Sequence, residues 1–209
     1  MAVVSIKNKL RRGNLLVGND PYIPPILAFD SIATTTVGSG GASSVTFSSI
    51  PSDYTHLQIR MMARFTADPG GSTDDWFIWL RPNNDSSSSV YTFHDVGGRG
   101  SGGSSYGVGT SGGHTGFLLN RFPTNIALSN TFGVNITDIL DYRNTNKYKT
   151  FRAIGGNSMN FNNSKNGVFS LHSGLWLNTN AITSFTLVPG FSSNFAQYSH
   201  FALYGIKAF

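Results

Sequence analysis

The sequence predicts an all-β protein, an antiparallel β-sandwich resembling a jelly roll, with about ten strands. Ser (26), Thr (18), Asn (19) and Gly (24) make up about two-fifths of the 209 residues, and Glu is absent. These abundant residues favour turns over helix interiors. Short apolar segments recur between the turns, and 16 Phe, 8 Tyr and 3 Trp supply the material of a core.

The first element is an extended N-terminal arm, residues 1–28. Its glycines and prolines, among them Gly13, Gly18 and Pro21, divide it into pieces too short for a stable helix. Many of its side chains are apolar, which favours docking on a partner protein by an extended segment over a solvated tail. The residues predicted to dock are Val3, Val4, Ile6, Lys7, Lys9, Arg11 and Arg12.

The remaining chain, residues 29–209, is predicted to form the sandwich. Its strand segments, in chain order, are 32–37, 44–47, 54–64, 76–80, 90–96, 116–119, 134–142, 148–154, 168–177, 182–188 and 200–207. The first two flank a glycine-rich turn and are predicted to form a hairpin. Residues 54–64 alternate between polar and apolar, as a half-buried strand does, and the apolar segment 76–80 is predicted to be a central core strand.

Residues 97–113 are predicted to be a long exposed loop, because nine of these seventeen residues are glycine. Two G-x-G-x-x-G matches occur here, but no helix signal follows either one, which argues against a phosphate site. Loops on a rigid scaffold often carry recognition. Arg99, Tyr106 and His114 are therefore candidate contacts for a glycan or another receptor.

Several function classes find no support in the sequence. The absence of Cys excludes disulfides and thiolate sites, and the five histidines lack the spacing of a metal site. No apolar run is long enough for a membrane span, and the N-terminus does not have the order of a secretory signal. Asp74 with Asp75, and Asp138 with Asp141, are the only close carboxylate pairs, and both flank apolar strands. We expect no catalytic residues, no metal and no cofactor.

The net charge of +5 belongs to the arm. Four of the fifteen basic residues lie within the first twelve positions, whereas eleven basic residues oppose ten Asp from residue 13 onward. Four charges are too few for strong binding to nucleic acid, and the body is nearly neutral. This distribution favours a protein partner for the arm.

Three segments resemble structural proteins of tailed bacteriophages, especially those that infect marine cyanobacteria. They are KNKLRRGNLLVGND (residues 7–20), the segment 31–64 beginning SIATTTVGSGGASS, and the segment 176–208 beginning WLNTNAITSFTLVPG. The resemblance implies a non-enzymatic virion component of the tail or tail-fibre type, assembled in the host cytoplasm. It also implies a homotrimer, with the arm contacting other virion proteins.

Three alternatives remain open from the sequence. A head decoration protein would have the same composition. A host-glycan-binding module would use the segment around Tyr106, since aromatic and amide side chains hold sugars. A polysaccharide-degrading enzyme would need a carboxylate pair such as Asp74 and Asp75.

Overall fold

The computed structural model describes residues 29–71, 74–100, 104–158 and 167–207. These residues form twelve β-strands and no helix, which confirms the predicted all-β class. The strands are β1 (Phe29–Thr36), β2 (Val45–Phe47), β3 (His56–Ala63), β4 (Asp75–Pro82), β5 (Tyr91–Arg99), β6 (Ser104–Ser111), β7 (Phe117–Pro123), β8 (Gly133–Leu140), β9 (Lys149–Asn157), β10 (Val168–Trp176), β11 (Phe185–Pro189) and β12 (His200–Ile206).

The strands form two antiparallel sheets. The larger has the order β1-β12-β3-β8-β9-β10-β5-β6, and the smaller has the order β2-β11-β4-β7. If the β8–β9 hairpin and the pair β1–β12 are set aside, two four-stranded sheets remain, β3-β10-β5-β6 and β2-β11-β4-β7. Consecutive strands then alternate between the sheets, except for the hairpin pair β5–β6, in the manner of a jelly roll. The β8–β9 hairpin is an insertion that widens one sheet of this sandwich.

The core lies between the sheets and is built from alternating side chains. In β3, Leu57 and Ile59 are fully buried and Met61 nearly so, as the predicted alternation requires. The smaller sheet contributes residues such as Ile78 and Leu80 from β4. β4 lies between β11 and β7, which confirms the prediction of a central strand. Each buried side chain of this size contributes about 1.5–3 kcal/mol relative to an exposed one.

The predicted hairpin of residues 32–37 and 44–47 is wrong. β1 pairs with β12 in the larger sheet, whereas β2 pairs with β11 in the smaller one. The glycine turn between them carries the chain from one sheet to the other, and Gly41 there has a φ of +69°. Val45 and Phe47 are buried in the core, and this burial places β2 in the second sheet.

The predicted loop at residues 97–113 is also wrong. β5 continues to Arg99, and Ser104–Ser111 form β6, so most of the segment is a β-hairpin at the edge of the larger sheet. β5 is held on its other side by β10 along its whole length, which gives β6 a fixed template. Glycine here serves close packing: a Cβ on Gly109 would lie 2.3 Å from the ring of His94.

The predicted arm falls on residues 1–28, which lie outside the described residues. Among the residues that the structure describes, no helix is long and apolar enough to cross a membrane.

Candidate functional site

Two of the three predicted recognition residues line the same cavity. Arg99 of β5 and Tyr106 of β6 face a cavity of about 380 Å³, whose other lining residues are Phe77, Phe93, Asp95, Ser105, Val108, Leu118 and Arg121. The third, His114, does not line the cavity, but its ring packs 4.9 Å from the ring of Phe93. Burial lowers the pKa of His114.

The cavity lies where the two sheets leave a gap. β6 is the last strand of the larger sheet and β7 is the last strand of the smaller one, and they do not pair with each other. Lining residues come from both sides, with Tyr106 on β6 and Leu118 on β7. A gap of this kind between sheet edges is a common place for a small ligand, because rigid strands hold its walls.

Glycine positions the aromatic wall. Gly97 is the cross-strand partner of Tyr106. A Cβ on Gly97 would lie 2.7 Å from the Tyr106 hydroxyl and 2.5 Å from the carbonyl oxygen of Phe169. Tyr106 therefore lies over a residue without a side chain, and any larger residue would displace its ring.

A charged cluster forms the other wall. Asp75 is buried, and its Oδ1 atom accepts hydrogen bonds of 3.1 Å from Arg99 and of 3.1 Å from Arg121. The Arg121 guanidinium also lies 4.1 Å from the ring centroid of Phe77. One carboxylate thus orients two guanidinium groups, and both groups keep partial exposure toward the cavity.

Asp95 supplies a second carboxyl group to the cavity. Burial raises its pKa, and the positive charge of Arg121 opposes that shift. Its Oδ1 atom is buried and has no hydrogen-bond partner in the described structure. Because Asp95 lines the cavity, its carboxyl group can take part in a hydrogen bond with a bound hydroxyl group.

A buried polar cluster lies behind the cavity on β7 and β10. The Ser170 hydroxyl donates a hydrogen bond to Asn120, and the Nε2 atom of His172 lies 2.9 Å from the same hydroxyl. Because the single proton of Ser170 goes to Asn120, His172 must be the donor of the second bond. A serine nucleophile needs the opposite polarity, with histidine accepting its proton. This cluster is arranged as a structural network.

The pKa of His172 supports that assignment. Burial and, to a smaller extent, the positive charge of Arg121 lower it from 6.5 to about 4. The imidazole is therefore neutral at pH 7. Its Nδ1 atom is buried and has no hydrogen-bond partner within the described residues.

Asp138 and Asp141, the second carboxylate pair considered from the sequence, are each held by a cation. Asp138 accepts a hydrogen bond of 2.8 Å from Arg152, on the outer face of the larger sheet. Asp141 accepts a short hydrogen bond from Lys147, and this bond lowers the pKa of Asp141. No group of three or more metal-ligating side chains occurs in residues 29–71, 74–100, 104–158 and 167–207.

Sequence reasoning missed Asp95 and Arg121 as cavity residues. The signal for Asp95 was present, because Phe93, Asp95 and Arg99 share one face of a single strand by their even spacing. This spacing was not recognised, because the glycines at 97 and 98 suggested that the strand ended before Arg99. Nothing in the sequence brings Arg121 to this place, because β7 approaches β5 from the other sheet.

Comparison with known proteins adds no assignment to this geometry. No protein-family model matches the sequence, and no curated protein matches it significantly.

Proposed function

We propose that this chain is a non-enzymatic structural protein of a tailed-phage virion, a tail or tail-fibre component. Residues 1–28 attach it to the particle, and the β-sandwich projects outward. The proposal includes a homotrimer and a location in the virion. Its sequence basis is the resemblance of residues 7–20, 31–64 and 176–208 to such proteins.

The observation that carries the proposal is the polarity of the larger sheet. β1, which follows the arm directly, is one edge strand, and β6, which lines the cavity, is the other edge strand. The two edge strands are separated by seven inter-strand spacings of 4.7–4.9 Å each, which gives a distance of about 33 Å. This arrangement supports the proposal, because a part that is anchored at one end and exposed at the other needs two separate edges, here β1 for attachment and β6 for exposure.

Labelling this protein in purified particles tests the position. We expect an antibody or gold label to mark the tail in electron micrographs. A label spread evenly over the capsid would instead assign the protein to head decoration, and absence of label from particles would overturn the virion role.

The cavity favours a second, compatible function, the binding of a host-surface glycan. Phe77 and Tyr106 supply aromatic faces for a sugar ring, and Asp95, Arg99 and Arg121 supply hydrogen-bonding groups for its hydroxyls. The mixture of both kinds of group in one small cavity is the specific support for this candidate.

A glycan panel tests this candidate. We expect binding of a host-surface saccharide that Tyr106→Ala weakens about tenfold or more, because a stacked aromatic ring is lost. Tyr198→Ala is a matched control, since Tyr198 is exposed and does not line the cavity. No binding across the panel, or equal loss in both variants, would overturn the glycan role.

A further inference from the structure

The outer face of the larger sheet carries a continuous apolar surface. Thirteen large apolar side chains are exposed in the described part of the chain, and seven of them lie on the neighbouring strands β8, β9, β10 and β5. Six of these seven lie together in two adjacent rows, and Leu140 at the end of β8 lies apart from them. We call these six the outer patch: Val96, Val134, Ile136, Ile154, Phe169 and Leu171. Their exposed fractions run from 39% to 59%.

Strand register places the outer patch in two adjacent rows. In one row Ile136, Ile154 and Leu171 are direct cross-strand neighbours, and Val96 continues that row on β5. In the other row Phe169 stands between two glycines on the neighbouring strands. The Phe169 ring therefore projects from the sheet between two positions that have no side chain. A second surface could pack its own side chains into the space on either side of this ring.

Charge on this face is largely compensated. The next row holds Asp138 beside Arg152, which form an ion pair of 2.8 Å, and Gln58 donates a further hydrogen bond of 2.8 Å to Asp138. Neither row of the outer patch holds a charged side chain on β8, β9, β10 or β5. Arg60 of β3 is the cross-strand neighbour of Ile136 and adds a positive charge at the border of the patch. A nearly neutral face of this kind offers little to nucleic acid or another strongly charged partner, and it meets a copy of itself with little charge repulsion.

The size of the face fits contact between folded proteins. At roughly 150–200 Å² per fully exposed residue, the outer patch offers about 500 Å², near the upper limit for an ordinary monomer. With the polar row beside it, the face reaches about the 800 Å² that each partner buries in a standard interface. Two sheet faces pack well at about 10 Å separation, as they do inside a sandwich.

We propose that the outer patch is the surface through which copies of this chain associate. In the trimer of the proposed function, the three patches surround the threefold axis and form a shared apolar core. The number of copies rests on the proposed function, whereas contact between copies follows from the face itself. A trimer and a dimer through this face are therefore distinguishable results.

The test is the mass of the full chain in solution, by light scattering or sedimentation. We expect the wild type at three times the monomer mass of 22.5 kDa. The double variant Ile154→Lys with Leu171→Lys is expected to be a folded monomer, because four or more charges would face each other across the interface. Phe169→Ser, which adds no charge, is expected to weaken association as well. Circular dichroism and thermal melting check that each variant folds.

Thr46→Lys is the matched control, since Thr46 is exposed on the smaller sheet. It is expected to keep the wild-type mass. If the wild type is a dimer and the patch variants dissociate it, the result supports this interface and contradicts only the number of copies, three. A wild-type monomer, or an oligomer that the patch variants leave intact, overturns the proposal. The full chain could also be monomeric and associate only after residues 1–20 are removed. That result would show that the arm covers the outer patch, and it would overturn the proposal as well.

Discussion

At the scale of single residues, the interior of this sandwich is unusually polar where the two sheets part near the cavity. Asp75, Asn120, Ser170 and His172 are all nearly or fully buried. Each makes at least one hydrogen bond, and Asp75 faces two arginines. Burying such groups is costly unless they are paired, so the loss of one partner should exceed the effect of a similar change at the surface.

The substitution Asp75→Asn tests this cost. It leaves Arg99 and Arg121 without their shared carboxylate, and we expect the free energy of unfolding to fall by about 2–4 kcal/mol. Asp138→Asn is the control, since Asp138 pairs with the exposed Arg152, and there we expect about 1 kcal/mol or less. Denaturant titration measures both. Equal losses in the two variants would contradict the importance of the buried cluster.

His172 makes stability depend on pH. Its pKa is lowered from 6.5 to about 4 in the folded protein, by burial first and then by Arg121. The unfolded chain therefore binds a proton at higher pH than the folded protein does. This contribution to stability is complete above pH 6.5 and declines as the pH falls toward 4, by up to about 3 kcal/mol.

The measurement is the free energy of unfolding at pH 7 and pH 4.5, for the wild type and for His172→Gln. We expect the wild type to lose about 2 kcal/mol more than the variant over this interval, since glutamine does not titrate. Identical pH dependence in both proteins would show that His172 is not held neutral by its surroundings.

At the scale of elements, the β5–β6 hairpin shows how glycine can mislead. Nine glycines in seventeen residues are typical of a loop, yet the structure pairs Thr92 through Arg99 with residues 104–111. Some of these glycines lie under neighbouring rings. Gly97 lies beneath Tyr106 and Gly109 beside His94. Composition alone cannot separate glycine required by close packing from glycine required by flexibility.

Two alanine substitutions in this hairpin separate these roles. At Gly97 a Cβ would lie 2.5 Å from a backbone oxygen, whereas at Gly107 the nearest atom is at 3.9 Å. We expect Gly97→Ala to speed amide hydrogen exchange in β6 about tenfold or more, and Gly107→Ala to leave it nearly unchanged. If both variants exchange alike, the packing role of Gly97 is wrong.

Most other elements could be predicted because they depend on local pattern. The alternation in β3 and the apolar segment in β4 give strands at the predicted places. What could not be predicted is which strands pair. β1 and β2 are neighbours in sequence but belong to different sheets, and the cavity joins β5 and β6 to β7 across the gap between sheets. Such pairings depend on burial of distant side chains, and single-strand patterns do not contain that information.

At the scale of the whole molecule, the two edges and the outer face of the larger sheet carry the three proposed roles of attachment, recognition and self-association. The edge at β1 follows the arm, the edge at β6 carries the cavity, and the outer patch lies between them. Phe29 of β1 is paired with Ile206 of β12, so the start and the end of the described body lie side by side. The proposed attachment, recognition and self-association therefore use separate surfaces.

The most direct test of the account is incorporation into phage particles. The full chain and a chain lacking residues 1–20, which include all seven predicted docking residues, are supplied during infection, and purified particles are quantified by mass spectrometry. Circular dichroism checks that the shortened chain keeps its β-sheet signal. We predict that the full chain is present in particles and that the shortened, folded chain is absent. Equal incorporation of both chains, or absence of the full chain, would contradict the account.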